Sequence, residues 1–370
     1  MSVITNCWGH VRPVRLDVAE STVYTAAAGR SYSHHPHLAG FGGRLYATWS
    51  LGETHEDDPG QRMVMSVSDD RGENWSTPRD VTGRLPGEEA DAVVTSGGIF
   101  VASERLVAWY AHYEFVPGTL DSGHRKPSRG SRHRDTYTAA LVSDDGGETW
   151  HSTSARIDNI CLNQIPRPLA SGRLLMTSNM LFPYTDDPTG LSGWRTSGLP
   201  RLPAGYQDEP FGFPAGNVAR GDTTNYCEGS FFQTDDGTIH MMLRTGEGRM
   251  AVSISRDEGA TWSEPALTDY TDCGSKSHFG RLPDGRFFGL TTPARHRTPL
   301  VLAVSEDGCT FDRHFILGER PWTGPRFEGL HKGGYYGYPW LHVEGNRAWA
   351  IYSACKEDVA VVAFDLAQIA

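Results

Sequence analysis

Four short stretches of the chain are copies of one another: "SDDRGENW" (68–75), "SDDGGETW" (143–150), "SRDEGATW" (255–262) and the shortened "SEDGCTF" (305–311). Each has a serine, an aspartate two residues on, a glycine, and an aromatic residue at its end. Asp70, Asp145, Asp257 and Asp307 can accept hydrogen bonds from turn amides, the glycine tolerates a positive φ, and the aromatic packs inward as the next strand begins. A second repeat runs in step with the first, in "HPHLAGFGGRLYATWS", "IPRPLASGRLLMTSN", "EGSFFQTDDGTIHMMLR", "HFGRLPDGRFFGLTTP" and "YPWLHVEGNRAWAIYS". Each of these is a strand, a Gly-containing turn and a second strand rich in aromatic and aliphatic residues. One repeat unit is therefore a four-stranded meander.

The boxes begin at residues 68, 143, 255 and 305, and the widest interval, 143 to 255, fits two units, the extra one centred on "IPRPLASGRLLMTSN" with a degenerate box. A last unit at 335–368 brings the count to six. Long helical patterns are absent, so the spacing predicts an all-β chain: a single β-propeller domain over 1–370, with six blades of four antiparallel strands, seven blades being the alternative. The segment "VRPVRLDVAESTVYTAAA" is expected to supply the strand that completes the final blade. Two stretches interrupt the rhythm, at about 114–136 and 181–222, and read as long loops; the second carries Trp194, Tyr206, Phe211 and Phe213 and reads as a packed wall.

A formal net charge of -11 and a pI near 5.7 argue against nucleic acid or an anionic membrane as partner, since both demand clustered Lys and Arg. The start "MSVITNCWGH" lacks a basic, apolar leader, which points to a cytoplasmic location. The six cysteines are scattered without zinc-type pairs and are expected to be reduced, mostly buried thiols. No cofactor is implied; a metal ion remains open. No phosphate loop, dinucleotide fingerprint or serine elbow is present.

In a propeller the innermost strands converge on the axis, and ligands favour the concave mouth they form. The inner strand starts carry His34/His35, Glu89/Asp91, Asn163/Gln164, Glu228, Lys276/His278 and Tyr336/Tyr338, a ring of ionisable and hydrogen-bonding groups. Simple alternation along the first strand would put His35 and His37 on one face and His34 on the other. That leaves a histidine metal site short of ligands.

With these residues in place, the chain resembles the sialidase-like superfamily of propellers over nearly its whole length. The resemblance implies that Glu228 partners a tyrosine, that Tyr338 in "YGYPWL" is that nucleophile, and that Arg244 and Arg297 belong to a carboxylate-binding arginine set. Sialidases carry an arginine in "RIP" on the first strand, where this chain has His34, His35 and Pro36. An arginine of the set is thus replaced by groups able to transfer protons. "LGETHEDDPGQR" places Glu53, Asp57 and Asp58 where the family keeps an acidic acid/base residue, and Asp58 is taken as the catalytic one. "HHPHL" and "EDDPGQR" are similar to propeller hydrolases and lyases acting at rhamnose-glucuronate linkages.

The expectation is a carbohydrate-active enzyme cleaving a terminal linkage in an acidic, uronate-containing oligosaccharide or polysaccharide, by hydrolysis or β-elimination. Exo-α-sialidase and noncatalytic glycan binder are the alternatives. The expected catalytic residues are His34, His35, Asp58, Glu228 and Tyr338. Arg244, Arg297, Gln164, Lys276, His278 and Tyr336 are the expected substrate binders.

Overall fold

The computed structural model describes residues 4–118, 133–202 and 226–370. Its strands form six sheets arranged as a propeller, and in blades 1 to 5 four strands follow one another antiparallel in chain order. The inner strands of blades 1 to 6 are Tyr32–Phe41, Val93–Ala102, Gln164–Pro168, Cys227–Gln233, His278–Arg281 and Tyr336–Glu344. Blade 6 takes its outer strand from the chain start, Ala19–Tyr24, which pairs antiparallel with Asp358–Asp365. Val14–Arg15 adds a fifth, parallel strand to blade 5 against Arg313–Gly318. The expected six blades and the closing N-terminal strand are both present. Among the described residues the only helices are two short 3-10 turns, Arg295–Arg297 and Leu366–Ile369.

Each blade is sandwiched between two others, so its middle strands are apolar on both faces rather than alternating. Arg44–Gly52, for example, is buried at every position after its first. Trp49, Trp109 and Trp349, all fully buried, occupy the second strands of blades 1, 2 and 6. The boxes link third to fourth strands. Ser68 Oγ donates to Asp70 Oδ1 at 2.8 Å and accepts from Gly72 N at 2.8 Å, and the same pair of bonds recurs at Ser143, Ser255 and Ser305. The box tryptophans reach across to the preceding blade's outer strand: Trp75 Nε1 donates to Ser21 Oγ at 3.1 Å, and Trp262 Nε1 to Ser197 Oγ at 2.9 Å. These indoles tie blade to blade.

The two interruptions are shorter than the sequence reading made them. The second strand of blade 2 runs Arg105–Phe115 and the third His133–Ser143. Leu181–Thr185 and Arg195–Gly198 are the third and fourth strands of blade 3. Between the latter lies the degenerate box, "TDDPTGLSGW", in which Asp187 N donates to Thr185 Oγ1 at 3.1 Å and Asp187 Oδ1 accepts from Thr189 N at 2.9 Å. Trp194 takes the aromatic slot and sits edge-on to Trp109 at 5.5 Å. Threonine in place of serine and a longer spacing hid this box. Tyr206, Phe211 and Phe213 lie outside the described residues.

The inner strands of blades 1, 2, 3, 4 and 6 each contain a register shift, at 34/37, 96/98, 164/167, 227/230 and 337/340. A bulge of this kind breaks the alternation of side chains and re-aims one of them. His35, Glu228 and Tyr338 sit at these bulges with φ of 54°, 50° and 51°. Each is followed by Pro or Gly: Pro36, Gly229 and Pro339.

Candidate active site

The bulged residues converge on a cavity of about 560 Å³ lined by His35, Glu228 and Tyr338, by Asp57 and Glu56 from the loop after the second strand of blade 1, and by Arg244, Arg297 and Lys356. One Glu228 oxygen accepts the Tyr338 hydroxyl. The other accepts Arg244 Nη1 at 2.7 Å, and the same nitrogen lies 3.3 Å from the phenol oxygen. Burial pushes the Glu228 carboxyl up, but the Arg244 charge and the bonds from Arg244 and Tyr338 outweigh it and hold it below the ordinary range. Burial and the Glu228 charge push Tyr338 well above the ordinary phenol value. The pair therefore rests as carboxylate and neutral phenol, bonded along the path by which the proton would move, and both shifts hold the proton on the phenol until the oxygen bonds to carbon.

Asp57 carries the second proton-transfer candidate. Its Oδ1 accepts the Tyr113 hydroxyl at 2.5 Å. Burial, with the Glu56 charge adding to it, raises the Asp57 carboxyl to about 7 against the opposing Tyr113 bond. Asp58, the residue expected in this role, is elsewhere. Its Oδ2 accepts the backbone amides of Thr54 at 2.8 Å and His55 at 2.6 Å, and it borders a separate acidic hollow with Glu53, Glu89 and Asp91. Neighbouring carboxylates one residue apart point into different cavities.

The histidines of the blade 1 inner strand are also rearranged by their bulge. His34 and His35 rings lie 4.7 Å apart, and both face the Tyr338 ring, at 3.9 and 5.2 Å, whereas His37 turns away to lie tilted against Trp340 at 4.3 Å. The expectation that His35 and His37 share a face fails because the register shift falls between them. Ser353 donates to Gly337 O at 3.2 Å, so it accepts from His34 Nδ1 at 2.7 Å, which leaves the lone pair on a buried Nε2 without a hydrogen-bond partner. His35 Nδ1 is 3.1 Å from Ser50 Oγ. Burial holds both imidazoles well below the ordinary histidine value, helped by Lys356 at His34 and by Lys276 and Lys356 at His35. Both are neutral at pH 7. His34, His35 and Glu56 bring potential ligand atoms within 4.8 Å of one another, but Lys356 Nζ, 2.6 Å from Glu56 Oε2, already supplies a cation there.

Four expected substrate binders serve packing between blades. Gln164 Nε2 donates to Ser277 O at 3.0 Å, and Tyr336 Oη accepts from Arg320 N at 3.0 Å. His278 stacks on Trp340 at 3.7 Å and accepts from Leu341 N. Lys276 donates to Asn163 O at 2.7 Å with its ammonium 5.0 Å from the Tyr338 ring centre, and burial lowers it to about 8. Of the six cysteines none is disulfide-bonded; Cys161 and Cys227 are buried, while the other four are only half-buried. Sequence reasoning missed Glu56, Tyr113 and Lys356. Lys356 is hidden because "SACKED" forms a two-residue hairpin turn in which Cys355 and Lys356 have φ of 59° and 56°, positions that ordinarily carry Asn-Gly.

Six four-stranded blades, serine-aspartate boxes and an axial pocket with a tyrosine, glutamate and arginine in mutual contact define a sialidase-like propeller. The chain belongs to the BNR repeat-like domain family, whose model matches residues 43–350. Among solved structures it is similar to a sialidase at 19% identity and TM-score 0.63, covering 98% of this chain and 34% of that one. The chain thus spans about a third of that sialidase's length. A protein of unknown function from Dyadobacter fermentans matches at 17% identity and TM-score 0.64, covering 96% of this chain and 99% of that one. The leech intramolecular trans-sialidase, solved with 2,7-anhydro-Neu5Ac, matches at 12% identity and TM-score 0.65, over 95% and 71%. No curated protein sequence matches.

Proposed function

We propose that the chain is a glycosidase that hydrolyses the terminal linkage of an acidic glycan, with uronate-ended chains as the leading substrate class. The observation that carries the reading is the buried contact of Tyr338 with Glu228, braced by Arg244, in one cavity with a carboxyl group raised to about 7 at Asp57. Tyr338 Oη attacks the anomeric carbon and gives its proton to Glu228 while Asp57, protonated, gives its own to the departing glycosidic oxygen. A water then adds to the same carbon, its proton returns to Asp57, and the tyrosine leaves with the proton held on Glu228. The configuration is retained. A phenol is suited to an anionic sugar because, unlike a carboxylate nucleophile, it approaches without like-charge repulsion. Arg244, Arg297, Lys276 and Lys356 lie around Tyr338, and among the described residues the carboxyl groups that offset them are Glu56, Glu228, the buried Asp272 near Arg244 and the partly protonated Asp57, so the cavity keeps cationic capacity for an anion. His35 in place of a strand-one arginine supports a substrate other than sialic acid.

The test is incubation with a panel of acidic oligosaccharides, read by released reducing sugar, by free sialic acid, and by absorbance at about 235 nm, which reports the unsaturated uronate of an elimination. Reducing sugar without absorbance, and a loss of at least about a thousandfold in Tyr338→Phe, is the expected result. Absorbance would remove Tyr338 from its role as nucleophile. Sialic acid release would overturn the substrate class, and binding without cleavage would make the pocket a glycan receptor.

A further inference from the structure

Four cations surround Tyr338, yet they are not equally free to meet a ligand. Arg244 is held by Glu228 at 2.7 Å, and the Lys276 ammonium is buried against Asn163 O. Two remain at the cavity wall. Arg297 pairs with no carboxylate among the described residues and donates from Nη2 to Gly274 O at 3.4 Å. Among the described residues Lys356 has one hydrogen-bond partner, Glu56 at 2.6 Å, which leaves ammonium protons for a ligand. Arg297 Cζ and Lys356 Nζ lie 5.5 and 5.9 Å from the centre of the same Tyr338 ring.

The backbone is arranged to present Lys356 at some cost. Its turn holds two non-glycine residues at positive φ and is closed by Glu357 N donating to Ala354 O at 2.9 Å. Ser33 N, on the inner strand of blade 1, donates to Lys356 O at 2.9 Å and fixes the turn against the histidine strand. Taking a lysine-glutamate pair out of water is a further cost that a purely structural role would not require. We infer that Lys356 and Arg297 together grip the carboxylate of the ligand beside the Tyr338 ring, Glu56 being the counter-ion that Lys356 exchanges for it. The inference rests on the acidic-glycan reading above and assigns that carboxylate its place.

The test titrates D-glucuronate and N-acetylneuraminate, each against its uncharged methyl ester, into the wild type, Lys356→Met, Lys356→Arg and Glu56→Gln, by calorimetry. The wild type is expected to prefer one of the acids to its ester. Lys356→Met should weaken that acid at least about tenfold and leave the ester unchanged, Lys356→Arg should stay within about threefold, and Glu56→Gln should bind the acid at least as tightly as the wild type. Undiminished acid binding by Lys356→Met, equal loss of acid and ester, or no acid binding by the wild type overturns the assignment. If Lys356→Met fails to fold by circular dichroism, weakened acid binding in Glu56→Gln overturns it, and retention in both Glu56→Gln and Lys356→Arg upholds it. Acid binding through Lys356 without cleavage of any acidic glycan would sink the glycosidase reading and leave this site standing. Cleavage that is indifferent to Lys356→Met would do the reverse.

Discussion

At the scale of single residues, Asp57 sets the pH behaviour. Its carboxyl, raised to about 7, is protonated below that pH and can donate to a leaving oxygen, so turnover should fall as pH rises through about 7. Asp57→Asn should lose about a hundred- to ten-thousand-fold in turnover on glycosides with poor leaving groups and lose that limb of the profile. Aryl glycosides with acidic phenols, which need little protonation, should recover most of the rate; no recovery would count against the acid role. The same shift acts on stability. Unfolded, the group ionises near about 3.9, so from there to about 7 the unfolded chain releases a proton that the folded one keeps, and stability declines with rising pH. Thermal melts of Asp57→Asn should lack that decline. The family resemblance leads to this loop and to Asp57 and Asp58 together, and the choice of Asp58 as the acid fails because adjacent residues of identical chemistry are told apart only by the backbone turn between them.

At the scale of elements, the inner-strand bulge is the device that builds the pocket. Glu228, Tyr338 and His35 were legible because they head repeat units whose strands must converge on an axis. Gln164, His278 and Tyr336 also head inner strands, yet they face neighbouring blades; in blades 3 and 6 which residue faces the cavity depends on a register shift that a period-two pattern does not contain. A residue at φ near +50° pays for its Cβ, so the usual ranking in strands should invert at these positions. His35→Gly should be more stable to urea than His35→Ala by about 1 kcal/mol, whereas the matching pair at Thr48, within an ordinary strand, should rank Ala above Gly. Equal stabilities at His35 would show that the bulge relaxes when the imidazole is removed. Lys356 was illegible for a related reason: its turn belongs to the hairpin between the second and third strands of blade 6, where no axial position is expected.

At the scale of the whole molecule, the blade number was readable because the boxes recur between third and fourth strands, and five of the six blades carry one once Thr185–Trp194 is counted. Closure was readable too, since a last unit with three strands needs a fourth from elsewhere. Removal of residues 1–24 should abolish cooperative thermal unfolding, and a peptide spanning 14–28 added in trans should restore part of it; a truncated chain that melts sharply on its own would show the ring to be dispensable. The antiparallel pairing of Ala19 with Ala363 has a temporal meaning as well. On the ribosome, the strand Ala19–Tyr24 has no partner until the last hairpin of blade 6 is synthesised, so its exposed edge must wait through the making of five blades. Refolding of the intact chain should accordingly show a slow, late phase that reports docking of Tyr24 beside Trp49, seen as a change in tryptophan emission after the bulk of the β-structure has formed.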